Sequence, residues 1–228
     1  GTPLMKNLFA RLHQAQPTPY AMYIETAAFR VASVSPELFF RLDGETITCE
    51  PMKGTCRRAP HPALDDATGE ALRSSRKNRA ENLMIVDMIR NDLGRIAAPG
   101  TVKVDELFKV TPWPTLWQMT STVSAQTAAS LPDIFRATFP CASITGAPKL
   151  KTSEIIAALE KQPRGLYTGA IGWFGPGRRG QFAVAIRTAV QTTHTTYGVG
   201  SGIVWDSGAA DEYRECMLKA RILGDEEG

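Results

Sequence analysis

Cysteine is sparse in this chain of 228 residues. Its four thiols, Cys49, Cys56, Cys141 and Cys216, show no C-x-x-C and no metal spacing, so neither a disulfide framework nor a zinc site is indicated. A reducing compartment suits such a chain best. No apolar run approaches the roughly 18 residues of a membrane span, and the N-terminal stretch has no secretory h-region. The expectation is a cytoplasmic protein that meets no membrane. Net charge is small as well: 26 Lys and Arg against 23 Asp and Glu leave +3, too little to argue for nucleic acid yet suited to a small anionic substrate. The basic stretches Arg57-Arg58, Arg73 to Arg79 and Arg178-Arg179 come with no recognised fold and no aromatic interleaving, and a nucleic-acid module is set aside. Gly198 to Gly202 does not keep the G-x-G-x-x-G spacing, so a dinucleotide loop is set aside too. Repeats and low-complexity tracts are absent.

What is present is an ordinary globular composition, 43% hydrophobic and 21% charged, long enough for one large core or two modest ones. Residues 3 to 15 place Leu4, Leu8, Phe9 and Leu12 on one helical face, with Thr2 as N-cap and Pro3 at the first helical position. Tyr20 to Thr26 and Phe29 to Val34 read as strands, and so do Glu37 to Leu42 and Thr46 to Glu50, with the hairpin signal Asp43-Gly44 between the last two. A single helix is expected from Thr68 to Leu93, apolar almost all round at Leu83 to Ile89 and therefore buried. A strand-like run at Thr115 to Ser124 follows, then helices at Leu131 to Thr138 and Pro148 to Lys161. Strands come next at Tyr167 to Phe174, Gln181 to Val190 and Thr195 to Val204, and a last helix capped by Ser207 runs through Leu223. Hairpin-joined strands alternating with long helices predict an α+β fold with mostly antiparallel sheets layered with helices.

The stretch Glu50-Pro51-Met52-Lys53-Gly54-Thr55 puts a lone lysine where a strand gives way to a turn. A lysine held there can act as a nucleophile if burial or nearby cations free its amine; the plain alternative is a solvated side chain leaving a strand. In the last helix Glu212, Glu215 and Lys219 share one face, and two carboxylates one turn apart repel unless something cationic neutralises them. Bound Mg²⁺ would do so, and so in part would Lys219 itself. Glu81 is a third candidate carboxylate, with an i,i+4 pair to Lys77 as its plain alternative. Asp87, inside an apolar run, is expected to be buried with a structural partner such as Arg90. Arg187, in the middle of an expected strand, suits bidentate carboxylate binding. Tyr167 and the backbone of Gly200, Ser201 and Gly202 could serve the same anion.

These residues, in this order, resemble the chorismate-utilising enzymes, the family of anthranilate synthase, aminodeoxychorismate synthase, isochorismate synthase and salicylate synthase large subunits. The resemblance runs from about Tyr20 to the C-terminus. It rests on Ser35 to Phe39 (SPELF), Pro51 to Thr55 (PMKGT), Ala80 to Asp87 with Arg90-Asn91-Asp92, Ser143 to Lys149 (SITGAPK), Pro163 to Tyr167, Ile186-Arg187, Gly200 to Gly202, and Glu212 to Glu215 with Lys219. It implies one chorismate-binding catalytic domain over residues 1–228. Glu81 and Glu215, supported by Glu212, would hold Mg²⁺ against the ring carboxylate. Arg187, Tyr167 and the Gly200 to Gly202 backbone would hold the enolpyruvyl carboxylate, and Thr55 and Lys219 would line the pocket. Glu37 would be the general acid for the departing C4 hydroxyl.

At position 53 anthranilate synthases resemble Pro-Ile-Ala-Gly-Thr, whereas a lysine resembles aminodeoxychorismate synthase component I. That implies a covalent Lys53 intermediate, chorismate and ammonia as substrates, and a separate glutamine amidotransferase as partner. The alternatives are an anthranilate synthase component or a silent fragment that only binds a partner. Two positions depart from the family pattern: Asn78 where an acidic residue is common, and Gln118 where anthranilate synthase has a histidine. Gln118 can hydrogen-bond but cannot transfer a proton as imidazole does, which favours a lysine-dependent route. Family members carry about as much chain again before the first helix, so the resemblance implies an N-terminally incomplete chain.

Overall fold

The computed structural model describes residues 2–114 and 116–223, without the side chains of Thr2 and Pro3. The cap expected of Thr2 lies outside the described side chains. Helix α1 spans Thr2–Ala15. Its buried face is built from Met5 and Leu12 with Leu8 and Phe9 half-buried, while Leu4 is exposed. The i, i+3, i+4, i+7 stripe therefore starts one residue later than expected. Strands β1 (Met22–Glu25) and β2 (Arg30–Ser33) follow, then β3 (Leu38–Asp43) and β4 (Thr46–Glu50). Asp43 pairs with Thr46, so the loop is Gly44-Glu45, with Gly44 at a φ of +61° that only glycine adopts freely.

Strand β5 (Met52–Arg57) carries Lys53. The expected strand-to-loop turn is thus a strand, and Pro51 is only a break before it. Pro51 has no N–H to give to a ladder, but its carbonyl accepts from Ser121 N at 3.1 Å. The ladder is bridged across the break.

The single helix expected from Thr68 to Leu93 is two, α2 (Pro62–Ser74) and α3 (Arg76–Gly94). Ser75 separates them with extended backbone and caps α3, its hydroxyl accepting from Asn78 N. α3 is not buried all round: Ile85, Val86, Ile89 and Leu93 face inward, and Leu83 and Met84 are exposed. Strand β6 (Lys103–Pro112) was not anticipated; it pairs with β7 (Leu116–Gln126). Helix α4 (Leu131–Thr138) stands where expected, and the segment after it holds the short α5 (Ala142–Thr145) and α6 (Lys149–Leu159). β8 (Ala170–Gly175), β9 (Arg179–Val184), β10 (Thr188–Gln191) and β11 (Thr195–Tyr197) precede α7 (Ala209–Ala220). Ser207 does not cap α7. Its hydroxyl accepts from Val204 N, and Gly208 is the cap residue.

The chain divides into two compact units. The first comprises residues 1–36, 162–172 and 182–228. Its sheet has the order β1-β2-β10-β11, antiparallel throughout. One cluster joins Met5, Leu8 and Phe9 of α1 to Ala32, Ala189, Tyr23 and Tyr197; another gathers Ile171, Ala183 and Ala185 around Val31. Burying each large apolar side chain contributes about 1.5–3 kcal/mol.

The second unit comprises residues 37–161 and 173–181. Its sheet has the order β5-β7-β4-β3-β9-β8, with β6 also on β7. β4 pairs with residues 123–126 of β7 and β5 with residues 116–120, all antiparallel, so the two strands run in succession along one edge of β7. Leu72 of α2 packs with Val110 and Met119 of the sheet. These antiparallel sheets covered by helices are the expected α+β architecture. Among the described residues no helix is long and apolar enough to cross a membrane.

Candidate active site

In the second unit the register between β5 and β7 slips between Met52 and Thr55, and Lys53 sits in that bulge. Gly54 there has a φ of +99°, and a Cβ on it would lie 3.1 Å from the Asn78 Cβ, so both backbone angle and space call for glycine. Gln118, almost wholly buried, donates to the Gly54 carbonyl at 2.9 Å and accepts from the Thr55 hydroxyl at 3.1 Å. Asn82, fully buried on α3, donates to the Lys53 carbonyl at 3.5 Å, and its own carbonyl oxygen accepts from the Ser121 hydroxyl at 2.6 Å. The bulge is therefore held on both sides by buried amides. The Lys53 side chain is half-buried, and Thr55 is exposed.

Glu37, 4% exposed, stands just before β3 and accepts a hydrogen bond from the Ser143 hydroxyl at 2.5 Å. Burial pushes its carboxyl from the ordinary 4.5 up to about 7, against the opposing pull of the Ser143 bond and the Lys53 charge. Such a group is partly protonated near neutral pH, as a general acid must be. Glu37, Cys49, Pro51, Asp92, Thr138 and Cys141 help line a cavity of about 10 Å³, at the threshold for a single water. Burial raises both thiols, Cys141 to about 12, with the Glu37 charge adding to it. All four cysteines are free.

Another buried acid is Asp92, whose carboxyl is raised by burial against the pull of Lys149. Lys149 Nζ donates to Asp92 Oδ2 at 2.7 Å and to the carbonyls of Thr138 and Pro140 at 2.8 and 2.9 Å. Those acceptors use all three of its protons. The buried carboxylate expected at Asp87 is thus found at Asp92. Asp87 is exposed and pairs with Arg90 at 2.9 Å, the partner anticipated for it. Glu81, next to Asn82 on α3, is half-buried and makes no ion pair with Lys77 among the described residues. Asn78 donates to the Ser75 hydroxyl at 3.0 Å, as part of the α3 cap.

In the first unit Arg187 lies in the break between β9 and β10, not in mid-strand, at a φ of +51°. Its guanidinium donates to Gln16 Oε1 at 3.0 Å, and its carbonyl accepts from Val34 N at 3.0 Å. The Tyr167 ring packs against backbone: a Cβ on Gly198 would lie 2.3 Å from the ring and one on Gly200 2.6 Å from Tyr167 Oη. No other residue fits at either glycine unless the ring moves. Gly200, Ser201 and Gly202 do not end a strand, since β11 stops at Tyr197 and irregular backbone follows. Burial pushes the Tyr197 hydroxyl up to about 12, against the pull of the Arg187 charge.

On α7, Lys219 donates to Glu215 Oε1 at 2.6 Å and to the Gly200 carbonyl at 2.8 Å. Lys219 therefore relieves the charge of Glu215 on the acidic face, and it ties α7 to the glycine segment. Among the described residues no three His, Cys, Asp or Glu side chains converge to hold a metal. Mg²⁺ asks for less, one or two carboxylates with water and substrate oxygens, and Glu212 and Glu215 one turn apart fit that donor set.

Sequence reasoning named Lys53 and Glu37, which the structure places in electrostatic reach of each other. It held Ser143 and Asn82 only as members of family motifs, without a role, and missed the supporting role of Gln118. The signals beside motif membership were that a buried bulge and a buried carboxyl both need polar partners.

The family described as chorismate binding enzyme matches residues 3–225. Aminodeoxychorismate synthase component 1 of Salmonella typhimurium is 42% identical over 219 residues, which cover 94% of this chain and 48% of that protein. Anthranilate synthase component 1 of Streptomyces coelicolor is 39% identical over 221 residues, covering 95% of this chain and 43% of that one. The crystal structure of anthranilate synthase component I from Streptococcus pneumoniae superposes with a TM-score of 0.87 at 30% identity, over 96% of this chain and 49% of that one. The chain spans about half the length of these relatives.

Proposed function

The chain belongs to the chorismate binding enzyme family, and from that premise we propose that it is the catalytic portion of an aminodeoxychorismate synthase component I. It converts chorismate and ammonia into 4-amino-4-deoxychorismate, a precursor of 4-aminobenzoate and folate. Ammonia comes from a glutamine amidotransferase partner, and the setting is cytoplasmic. The observation that carries this reading is a lysine fixed in a bulge by Gln118 and Asn82, beside a buried carboxyl at Glu37. The name of the Salmonella relative supports it.

In the proposed reaction the Lys53 amine forms a bond to C2 of the ring, the two conjugated ring double bonds shift by one position each toward C4, and the C4–O bond breaks. The hydroxyl leaves as water with the proton of Glu37. Ammonia then forms its bond at C4, both double bonds shift back, and the C2–N bond breaks to return the electron pair to Lys53. The net change is exchange of hydroxyl for amino at C4 with release of water. A covalent amine intermediate explains why the new substituent ends at C4 and not at C2. Arg187, Tyr167 and the Gly200, Ser201 and Gly202 backbone hold the enolpyruvyl carboxylate, with Thr55 and Lys219 as further lining. Glu81 and Glu215, with Glu212 in support, would hold Mg²⁺, which when bound neutralises the ring carboxylate.

Quenching the chain during turnover with chorismate, ammonium and Mg²⁺ and mapping adducts by mass spectrometry tests the reading. A chorismate-derived mass on the Lys53 peptide is expected, and its absence while product accumulates would sink the covalent route. Anthranilate synthesis is the second reading, favoured by the Streptomyces coelicolor relative; it would show as anthranilate and pyruvate formed without that adduct.

A further inference from the structure

Strand β7 has a bulge against each of its edges, close together. On one edge Lys53 and Gly54 of β5 lie opposite Met119, since Met52 pairs with Thr120 and Thr55 with Gln118. On the other edge Leu107 and Phe108 of β6 lie opposite Ser121, since Glu106 pairs with Thr122 and Lys109 with Thr120. Bulges re-aim side chains and take residues out of the ladder, so those residues need other partners. Phe108 has a φ of +56°, uncommon for a residue other than glycine. Two contacts keep it there: its N–H donates to the Ser121 hydroxyl at 3.0 Å, and the Arg79 guanidinium of α3 lies 4.7 Å from the centre of its ring.

Ser121, fully buried, joins the two bulges. Its N–H donates to the Pro51 carbonyl at 3.1 Å. Its hydroxyl donates to Asn82 Oδ1 at 2.6 Å, and Asn82 Nδ2 donates to the Lys53 carbonyl at 3.5 Å. The direction of these bonds is forced at both ends. A backbone N–H can only donate and a backbone carbonyl can only accept. The single hydroxyl proton of Ser121 must therefore go to Asn82, and Asn82 must turn its NH₂ toward Lys53. The last link is the longest, so it is the first to go once the amide is free to rotate.

We infer that Ser121 is a positioning residue for Lys53: it carries the hold of the β6 bulge through Asn82 to the backbone of the proposed nucleophile. This rests on the reading of Lys53 as that nucleophile. Gln118 grips the next residue, Gly54, by a separate bond, so losing the Ser121 hydroxyl loosens the β5 bulge without dissolving it.

Ser121→Ala removes the hydroxyl at almost constant volume, and Asn82→Leu breaks the same series one link further on. In the ligand-free chain, residue-resolved amide hydrogen exchange is expected to quicken about tenfold at residues 53–55 in either variant. Residues 47–49, paired with the other end of β7, should keep the parent rate. With chorismate, ammonium and Mg²⁺, kcat should fall about tenfold while KM for chorismate changes by less than about twofold. The double variant should lose no more than the larger single loss, because links in series fail together. Ser121→Cys, close in shape with a weaker donor, should fall between the parent and Ser121→Ala, and takes its place in every readout if Ser121→Ala does not fold. Unchanged exchange at residues 53–55 in a folded Ser121 variant overturns the inference, and so does exchange that quickens equally at residues 47–49, a general loosening of the sheet. Losses in kcat that add in the double variant overturn it too, since the two side chains would then act separately. Local exchange that quickens while kcat stays at the parent value upholds the hold of Ser121 on the bulge and overturns Lys53 as the nucleophile, so the two failures are told apart.

Discussion

The two groups of candidate residues, one in each unit, are built to different standards. Around Lys53 and Glu37 the second unit uses buried amides, a half-buried hydroxyl and a lysine with every proton placed. In the first unit Lys219 bonds both Glu215 and the Gly200 carbonyl. The ion pairs put this in numbers: Lys149 and Asp92 have side chains 19% and 9% exposed, whereas Lys219 and Glu215 are 30% and 50% exposed. α7 has no buried residue at all. The difference teaches where preorganisation is needed. Covalent and proton-transfer steps depend on fixed geometry in a low-dielectric setting, while a carboxylate-binding surface can stay solvated until its ligand supplies the counter-charge.

The largest effect that would test this contrast is catalytic. Lys53→Ala should lower aminodeoxychorismate formation by about 10³-fold or more, with an unchanged circular dichroism spectrum and urea midpoint; near-normal turnover would remove the lysine from the chemistry. Next comes the clamp. Lys149→Met leaves the Asp92 carboxylate and the Thr138 and Pro140 carbonyls without this partner, and breaking a buried pair from one side costs about 3 kcal/mol or more. Urea unfolding should show it as a lower midpoint at constant slope. A loss under about 1 kcal/mol would mean that the clamp is no firmer than a surface pair.

Some of this asymmetry could be read from the chain and some could not. The α+β class, the hairpin at Gly44 and helix α4 follow from alternation, a glycine and a cap, all local signals. Lys53 and Glu37 were legible because motif residues of the family surround them. The break at Ser75 was not, because polar residues flank it on both sides and the helical period runs on across it. Strand β6 escaped because Lys103, Asp105, Glu106 and Lys109 interrupt the alternation, as expected for a strand paired on one side only. The turn of Arg187 into positive φ leaves no mark in sequence, since any non-glycine residue is uncommon there. The roles of Ser143, Asn82 and Gln118 arise from contacts distant in the chain, 106 residues apart for Ser143 and Glu37. No spacing rule reaches that far.

A third prediction separates function from stability at one residue. The folded-state midpoint of Glu37, about 7, lies above the ordinary 4.5, so between those values the native state binds more protons than the unfolded state. Stability therefore falls as pH rises through this window, and the penalty is complete above pH 7 and absent below 4.5. It amounts to about 3 kcal/mol at full development. Glu37→Gln should remove it: the variant gains stability over the parent at pH 8 but not at pH 4.5, while losing turnover. Equal differences at both pH values would mean that the carboxyl is not held neutral by burial.

The smallest effect belongs to α7. Lys219→Met breaks a half-exposed pair, and solvent screening limits such pairs to about 1 kcal/mol or less. A urea midpoint close to the parent value is expected, and addition of 0.5–1 M salt, a strong-screening regime on the order of a 3–4 Å Debye length, should shrink what difference remains. The Lys149→Met loss should persist at the same salt, because a desolvated pair is screened far less. Should Lys219→Met cost as much as Lys149→Met and resist salt as well, the first unit would be as rigidly built as the second. The division between a fixed chemical half and an adaptable binding half would then have to be given up.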